Sequence, residues 1–149
     1  MKTVYTCFCT EVIHDGHLNI LNEAKKLGSV TIGALSDKAL IRYNKFPTLS
    51  QEERVKLYES LEGVEKVVIQ DDMLYDDVIA KLKPDYVVHG DNWTSGPMVA
   101  IKNHVAELVE AYGGQLVNIP YTYSENVKKI DMQLREKLAM PEYRRKRLR

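Results

Sequence analysis

The sequence predicts an α/β fold, a three-layer sandwich around a five-stranded parallel sheet, on three observations. Apolar, β-branched runs recur five times, they alternate with segments of helical spacing, and each run is bounded by Gly, Pro, Asp or Ser. Alternation of this kind calls for right-handed crossovers that cover both faces of the sheet. The 149 residues, 44% hydrophobic and 28% charged, fit one domain with one core, large enough to stand without disulfides or a structural metal.

The first strand is expected at Thr3 to Cys9, followed by a helix from His17 to Leu27 and a second strand from Ser29 to Leu35. Ser50-Gln51-Glu52-Glu53 reads as a capping box that opens a helix running to Leu61, with Gly63 placed to stop it. A third strand over Val64 to Ile69, a helix over Tyr75 to Leu82 and a fourth strand over Asp85 to His89 come next. Pro97 suits a first helical turn; Val99, Val105, Leu108, Val109 and Tyr112 share one broad face, and Gly113-Gly114 ends that helix before a fifth strand from Gln115 to Ile119. A polar helix is expected from about Glu125 to Leu138. The domain is placed at residues 1–140, with residues 141–149 a basic tail.

Composition excludes several classes of function. Lys plus Arg equals Asp plus Glu at 21 each, so no net field argues for nucleic acid or a membrane surface, and the terminal basic run lacks the interleaved aromatics of an RNA platform. No apolar run approaches the length of a membrane span, and no leader is evident, so the expected location is the cytoplasm. Cys7 and Cys9 lie two apart on one strand face, a poor geometry for a disulfide, and with His14 and His17 they do not match the ligand spacing of a structural zinc site. No metal bound by protein ligands is expected.

In open parallel sheets ligands sit at the carboxyl ends of the strands, and the first strand-to-helix turn commonly takes phosphate. Here that turn reads Glu11-Val12-Ile13-His14-Asp15-Gly16-His17, without the glycine pattern of a dinucleotide site, and the chain has no phosphate-loop motif. It offers His14-x-Gly16-His17. The glycine allows close backbone approach, the helix start presents free N–H groups, and two imidazoles can donate to phosphate oxygens, which outlines a triphosphate clamp. Spacing alone leaves open a plain helix cap with incidental histidines.

The segments Val12 to Ile20, Ser36-Asp37-Lys38-Ala39, Lys83 to Trp93 and Ile119-Pro120-Tyr121-Thr122 carry a resemblance over almost the whole chain. The chain resembles the HxGH nucleotidyltransferases and, within them, the cytidylyltransferases. It looks most like the cytidylyltransferase domain at the N-terminus of bifunctional phosphoenolpyruvate mutases of phosphonate biosynthesis. The resemblance implies a Rossmann-like sandwich that transfers CMP from CTP, with Mg²⁺, to a small phosphonate of the 2-hydroxyethyl or 2-aminoethyl type, releasing pyrophosphate. Phosphate monoesters such as phosphocholine, phosphoethanolamine or glycerol 3-phosphate are the alternative acceptors; a catalytically degenerate nucleotide-binding or dimerisation domain is the alternative of another class.

The same resemblance implies that His14, His17 and Lys45 are catalytic. Cys9, Thr10, Glu11, Gly16, Gly90, Asp91, Asn92, Trp93, Tyr121 and Thr122 are expected to bind the nucleotide. Arg54 and His89 are expected at the second substrate. The family's final Thr-Glu-Gly-Ile-Ser-Ser/Thr run is replaced after Thr122, leaving Ser124 and Asn126 as substitute donors, and Glu11 stands where the family has Asp. A homodimer, and fusion to a mutase domain after the basic tail, are further implications.

Overall fold

The computed structural model describes residues 2–11, 13, 15–90, 98–120 and 133. Five parallel strands, β1 (Thr3–Phe8), β2 (Ser29–Leu35), β3 (Val64–Gln70), β4 (Tyr86–Gly90) and β5 (Gln115–Ile119), form one sheet in the order β3-β2-β1-β4-β5. The fold class and all five strands are those expected, with ends displaced by about a residue.

β4 starts at Tyr86 because Asp85 is spent as a fastener. Its carboxylate accepts from the Thr3 backbone N–H (2.8 Å) and hydroxyl, while its own N–H donates to the Thr3 hydroxyl oxygen (3.2 Å). The Thr3 N–H is the main reason the Asp85 carboxyl is held below its ordinary range. Beyond this rivet, β1 and β4 share two registered pairs among the described residues, Val4 with Tyr86 and Tyr5 with Val87. The β1–β2 ladder, in contrast, runs the whole of β1.

The helices are α1 (Asp15–Leu27), α2 (Asp37–Arg42), α3 (Gln51–Glu59), α4 (Asp76–Leu82) and α5 (Val99–Glu110). Strand alternation divides the core between them. Val4 and Phe8 of β1 pack with Ile20, Leu21 and Ala24 of α1 and Tyr58 of α3 on one face; Tyr5 packs with Val78 and Ile79 of α4 and Val105 and Val109 of α5 on the other. Each of the large side chains so buried contributes about 1.5–3 kcal/mol.

The capping box of α3 is present in both directions: the Ser50 hydroxyl accepts from Glu53 N–H and the Glu53 carboxylate accepts from Ser50 N–H, each at 3.2 Å. α2 is an element the hydrophobic pattern did not mark. It is held by its N-cap, where the Ser36 hydroxyl accepts from Ala39 N–H at 3.1 Å, and is left through Asn44 in the left-handed region at φ 60°. Gly33 serves packing: a Cβ there would lie 1.7 Å from the Tyr5 hydroxyl, which crosses beneath β2 to donate to Gln70 Oε1 at 2.5 Å. The polar helix expected near residues 125–138 and the basic tail fall outside the described residues, Gln133 excepted.

Candidate functional site

The winding reverses direction between β1 and β4, so their carboxyl ends form the crevice in which this class of sheet holds its ligands. Cys9, Thr10 and Glu11 leave β1 at this end, and α1 begins four residues later with Gly16 buried in its first turn. The small residue lets the helix start sit close under the crevice, and the N–H groups of that first turn supply partial positive charge for an anion. His17 is half-buried, its ring set edge-on against Phe8 at 5.2 Å between centroids. Phe8 is itself set edge-on against Tyr58 at 5.7 Å, and the Tyr58 hydroxyl donates to the Thr10 carbonyl at 2.5 Å. The histidine and the strand-end loop are therefore both braced by α3.

On the β4 side stand His89 and Gly90. His89 Nδ1 lies 2.7 Å from the Gly90 carbonyl, which can only accept, so Nδ1 carries the proton and Nε2 is the acceptor of the neutral ring. Burial is the main influence on this imidazole and lowers its pKa; the Gly90 carbonyl partly opposes it. From α1, Asn19 Nδ2 donates to the Pro120 carbonyl at 3.4 Å, which brings the exit of β5 to the same end of the sheet.

Lys45 is exposed on the segment between α2 and α3, and its ammonium is felt at Cys7. The Cys7 thiol is raised far above its ordinary pKa, first by burial and next by Cys9, with Lys45 opposing; Cys7 and Cys9 both pack against Leu35, Ala39 and Leu40. This is the environment of core thiols.

Arg54 requires a correction. Expected at the second substrate, it is fully buried: Nη1 donates to Asp37 Oδ1 and to the Leu49 carbonyl, both at 2.8 Å, and Nη2 donates to the Leu35 carbonyl at 2.6 Å. Only Nε lacks a partner among the described residues. Its i+4 neighbour on α3 is the equally buried Tyr58, so the inner face of this helix is built from two residues with polar ends. Around them, Asp37 and Gln51 exchange bonds, each backbone N–H donating to the other's side-chain oxygen at 3.1 and 3.2 Å. Asp37, Gln51 and Tyr58 were missed as residues that shape the site; the i, i+4 spacing of Arg54 and Tyr58 was the available signal.

Glu11 is also placed otherwise than as a nucleotide contact. Its Oε1 accepts from Leu49 N–H at 2.5 Å. His14, Asp91, Asn92, Trp93, Tyr121, Thr122, Ser124 and Asn126 lie outside the described residues. Elsewhere, the charged lining of a cleft of ≈ 310 Å³ between β3 and α4 is Asp71, Asp72, Asp77 and Lys81, net negative and so the wrong sign for a polyphosphate. Asp72 there accepts from Leu74 N–H, the chief cause of its lowered pKa, and from Arg42 and Tyr43. Among the described residues no helix is long and apolar enough to cross a membrane.

The fold recurs in solved structures. It superposes on the lipopolysaccharide core biosynthesis protein of Thermoplasma volcanium GSS1 with a TM-score of 0.70 at 20% identity, over 83% of this chain and 99% of that one. It superposes on the pantothenate synthetase of Thermus thermophilus with a TM-score of 0.56 at 14% identity, over 95% and 69%. Both likenesses concern the fold alone. In sequence, the chain is 32% identical over 122 residues to the bifunctional protein HldE of Desulfatibacillum aliphaticivorans, covering 80% of this chain and 24% of that protein. It is 34% identical over 118 residues to HldE of Helicobacter pylori strain HPAG1, covering 74% and 26%. The chain thus spans about a quarter of the length of these curated relatives. A family model described as cytidylyltransferase-like matches residues 8–145, across the β1–α1 turn, the β4 end and beyond, and the chain belongs to the cytidylyltransferase-like family.

Proposed function

We propose that this domain is a nucleotidyltransferase that moves CMP from CTP to a small phosphonate of the 2-hydroxyethyl or 2-aminoethyl type, releasing pyrophosphate. The observation that carries the reading is the meeting of the buried-glycine start of α1, with His17 braced beside it, and the His89-Gly90 end of β4 at one switch point. Family membership supports the class of reaction. The phosphonate rests on the resemblance alone, carried by Val12 to Ile20, Ser36 to Ala39, Lys83 to Trp93 and Ile119 to Thr122, and a phosphate monoester is the second reading.

An acceptor oxygen attacks the α-phosphorus in line, a P–O bond forms, and the α–β bridging P–O bond breaks with its electrons going to pyrophosphate. The acceptor oxygen is already anionic near neutral pH, so no side chain need remove a proton from it. CTP enters as its Mg²⁺ complex, the cation offsetting charge along the phosphates. The protein's share is electrostatic: His17 and His14 donate to phosphate oxygens, the first-turn N–H groups of α1 face the same charge, and Lys45 neutralises what develops on the reacting phosphates. Gly16 and the strand-end Cys9 and Thr10 give the nucleotide backbone-close contact. Gly90, Asp91, Asn92 and Trp93, with Tyr121, Thr122, Ser124 and Asn126, complete its pocket in this reading, and His89 faces the acceptor. The working form in this reading is a cytoplasmic homodimer, either stand-alone or fused to a mutase domain.

Pyrophosphate release with Mg²⁺, each of the four nucleoside triphosphates and a panel of phosphonates and phosphate monoesters tests this. Release with CTP and a phosphonate is the expected result. Release only with a phosphate ester replaces the acceptor, and CTP binding without release with any pair favours the degenerate-domain reading.

A further inference from the structure

Leu49 is gripped on both sides of its Cα. Its N–H donates to Glu11 Oε1 at 2.5 Å, and its carbonyl accepts from buried Arg54 Nη1 at 2.8 Å. At the other end of the same segment, Asn44 turns out of α2 at φ 60° and Lys45 N–H donates to the Leu40 carbonyl at 2.9 Å. The span Lys45-Phe46-Pro47-Thr48-Leu49 is therefore fastened at both ends, with proline limiting its freedom between them.

The two ends of this span are tied to different things. The Lys45 end belongs to α2, whereas the Leu49 end is tied through Glu11 to the loop that leaves β1 on the way to the His17 helix, 38 positions earlier in the chain. That loop has its own anchor, the Tyr58 hydroxyl on the Thr10 carbonyl. A carboxylate facing a polyphosphate would be repelled by it, but one that accepts a backbone N–H just ahead of the α3 N-terminus lies where helix dipole and hydrogen bond both favour negative charge.

We infer that Glu11 is a positioning residue, and not a nucleotide ligand: it couples the β1–α1 loop to the Lys45 span and so sets where Lys45 stands relative to the reacting phosphates. The inference rests on the proposed nucleotidyl transfer for its functional half; the link itself does not depend on it. Glutamate is required for reach. Glu11→Asp withdraws the carboxylate by about 1.5 Å, one C–C bond, and opens the contact, whereas Glu11→Gln keeps an oxygen at the same place.

The test combines amide hydrogen exchange of Leu49 in the full chain, CTP affinity by calorimetry, and the steady-state kinetics of pyrophosphate release for wild type, E11Q, E11D and E11A. In E11A and E11D, Leu49 exchange rises at least about tenfold and kcat falls by about tenfold or more, the loss expected for a hydrogen bond to a charged group. CTP Kd stays within about twofold, and E11Q remains within about threefold of wild type throughout. Should E11A fail to fold, E11D against E11Q makes the same comparison. Unchanged Leu49 exchange in E11D overturns the link. A tenfold loss of CTP affinity with kcat unchanged overturns the positioning role and makes Glu11 a nucleotide contact. A wild-type chain that releases pyrophosphate with no substrate pair overturns the enzymatic reading and the functional half with it, while Leu49 exchange still decides the link.

Discussion

Replacing Arg54 with methionine keeps most of the side-chain volume and removes the guanidinium, which isolates what that group does. Two backbone carbonyls, Leu35 O and Leu49 O, lose their donor inside the protein, and Asp37 loses its cation. The Asp37 side chain is 40% exposed, so water takes over much of that ion pair and its share is about 1 kcal/mol. Each carbonyl left with an unmet acceptor costs about 1–2 kcal/mol, and the total of about 3–5 kcal/mol agrees with the cost of removing one member of a buried pair. This is a large part of the about 5–15 kcal/mol that holds an ordinary domain, and corresponds to a fall in Tm of about 10 °C. Urea unfolding followed by circular dichroism should show a lower midpoint at an unchanged slope. R54K, which retains charge without the fork, should fall between wild type and R54M. An R54M midpoint equal to wild type, together with a raised KM for the acceptor, would refute the buried placement and return this cation to the substrate.

His17→Ala should lower turnover by about 10²–10³ while costing only about 1 kcal/mol of stability, the edge contact with Phe8; near-normal turnover would remove His17 from the chemistry. Gly33→Ala should destabilise by about 3 kcal/mol, the upper end of over-packing costs, because the new Cβ meets a Tyr5 hydroxyl already held by Gln70; a wild-type urea midpoint would show that the ring can retreat. His89 is held neutral in the folded chain below the pH at which the unfolded chain takes up its proton, so stability should fall as pH drops from 6.5 through the folded value, then level off. His89→Asn should flatten that acid limb relative to wild type in urea titrations across pH, and an unchanged limb would assign it to other groups.

Five strands and the helices α1, α4 and α5 were legible because β-branched runs and apolar spacing mark burial directly, and α3 because its capping box marks a helix start. Boundaries slipped where a side chain replaced a backbone bond, as at Asp85, which composition cannot show. α2 escaped because a six-residue helix has too few turns for periodicity and depends on its Ser36 cap. The helix start that carries Gly16 and His17 was legible, since a helix opening after the end of the first strand is a local property. Arg54 was misplaced because α3 has only a faint apolar stripe: with Gln51, Glu52, Glu53 and Lys56 around it, the i, i+4 spacing from Tyr58 was the one local sign that Arg54 faces inward. The contact of Glu11 with Leu49 spans 38 positions and arises only once β1 and the α3 entry are packed side by side.

The short β1–β4 ladder divides the sheet into two lobes, β1, β2 and β3 in one and β4 and β5 in the other, sewn together by a seam whose partners are 82 positions apart in the chain. Closing a loop of that length is the slow and entropically costly step of such a topology, so each lobe should assemble before the seam does. The seam is stitched at its foot by Asp85 and Thr3, and among the described residues its registered pairs end at Tyr5 and Val87, short of its mouth. On the proposed function, a nucleotide bound across the seam becomes the last stitch, and its binding energy adds to the integrity of the sheet.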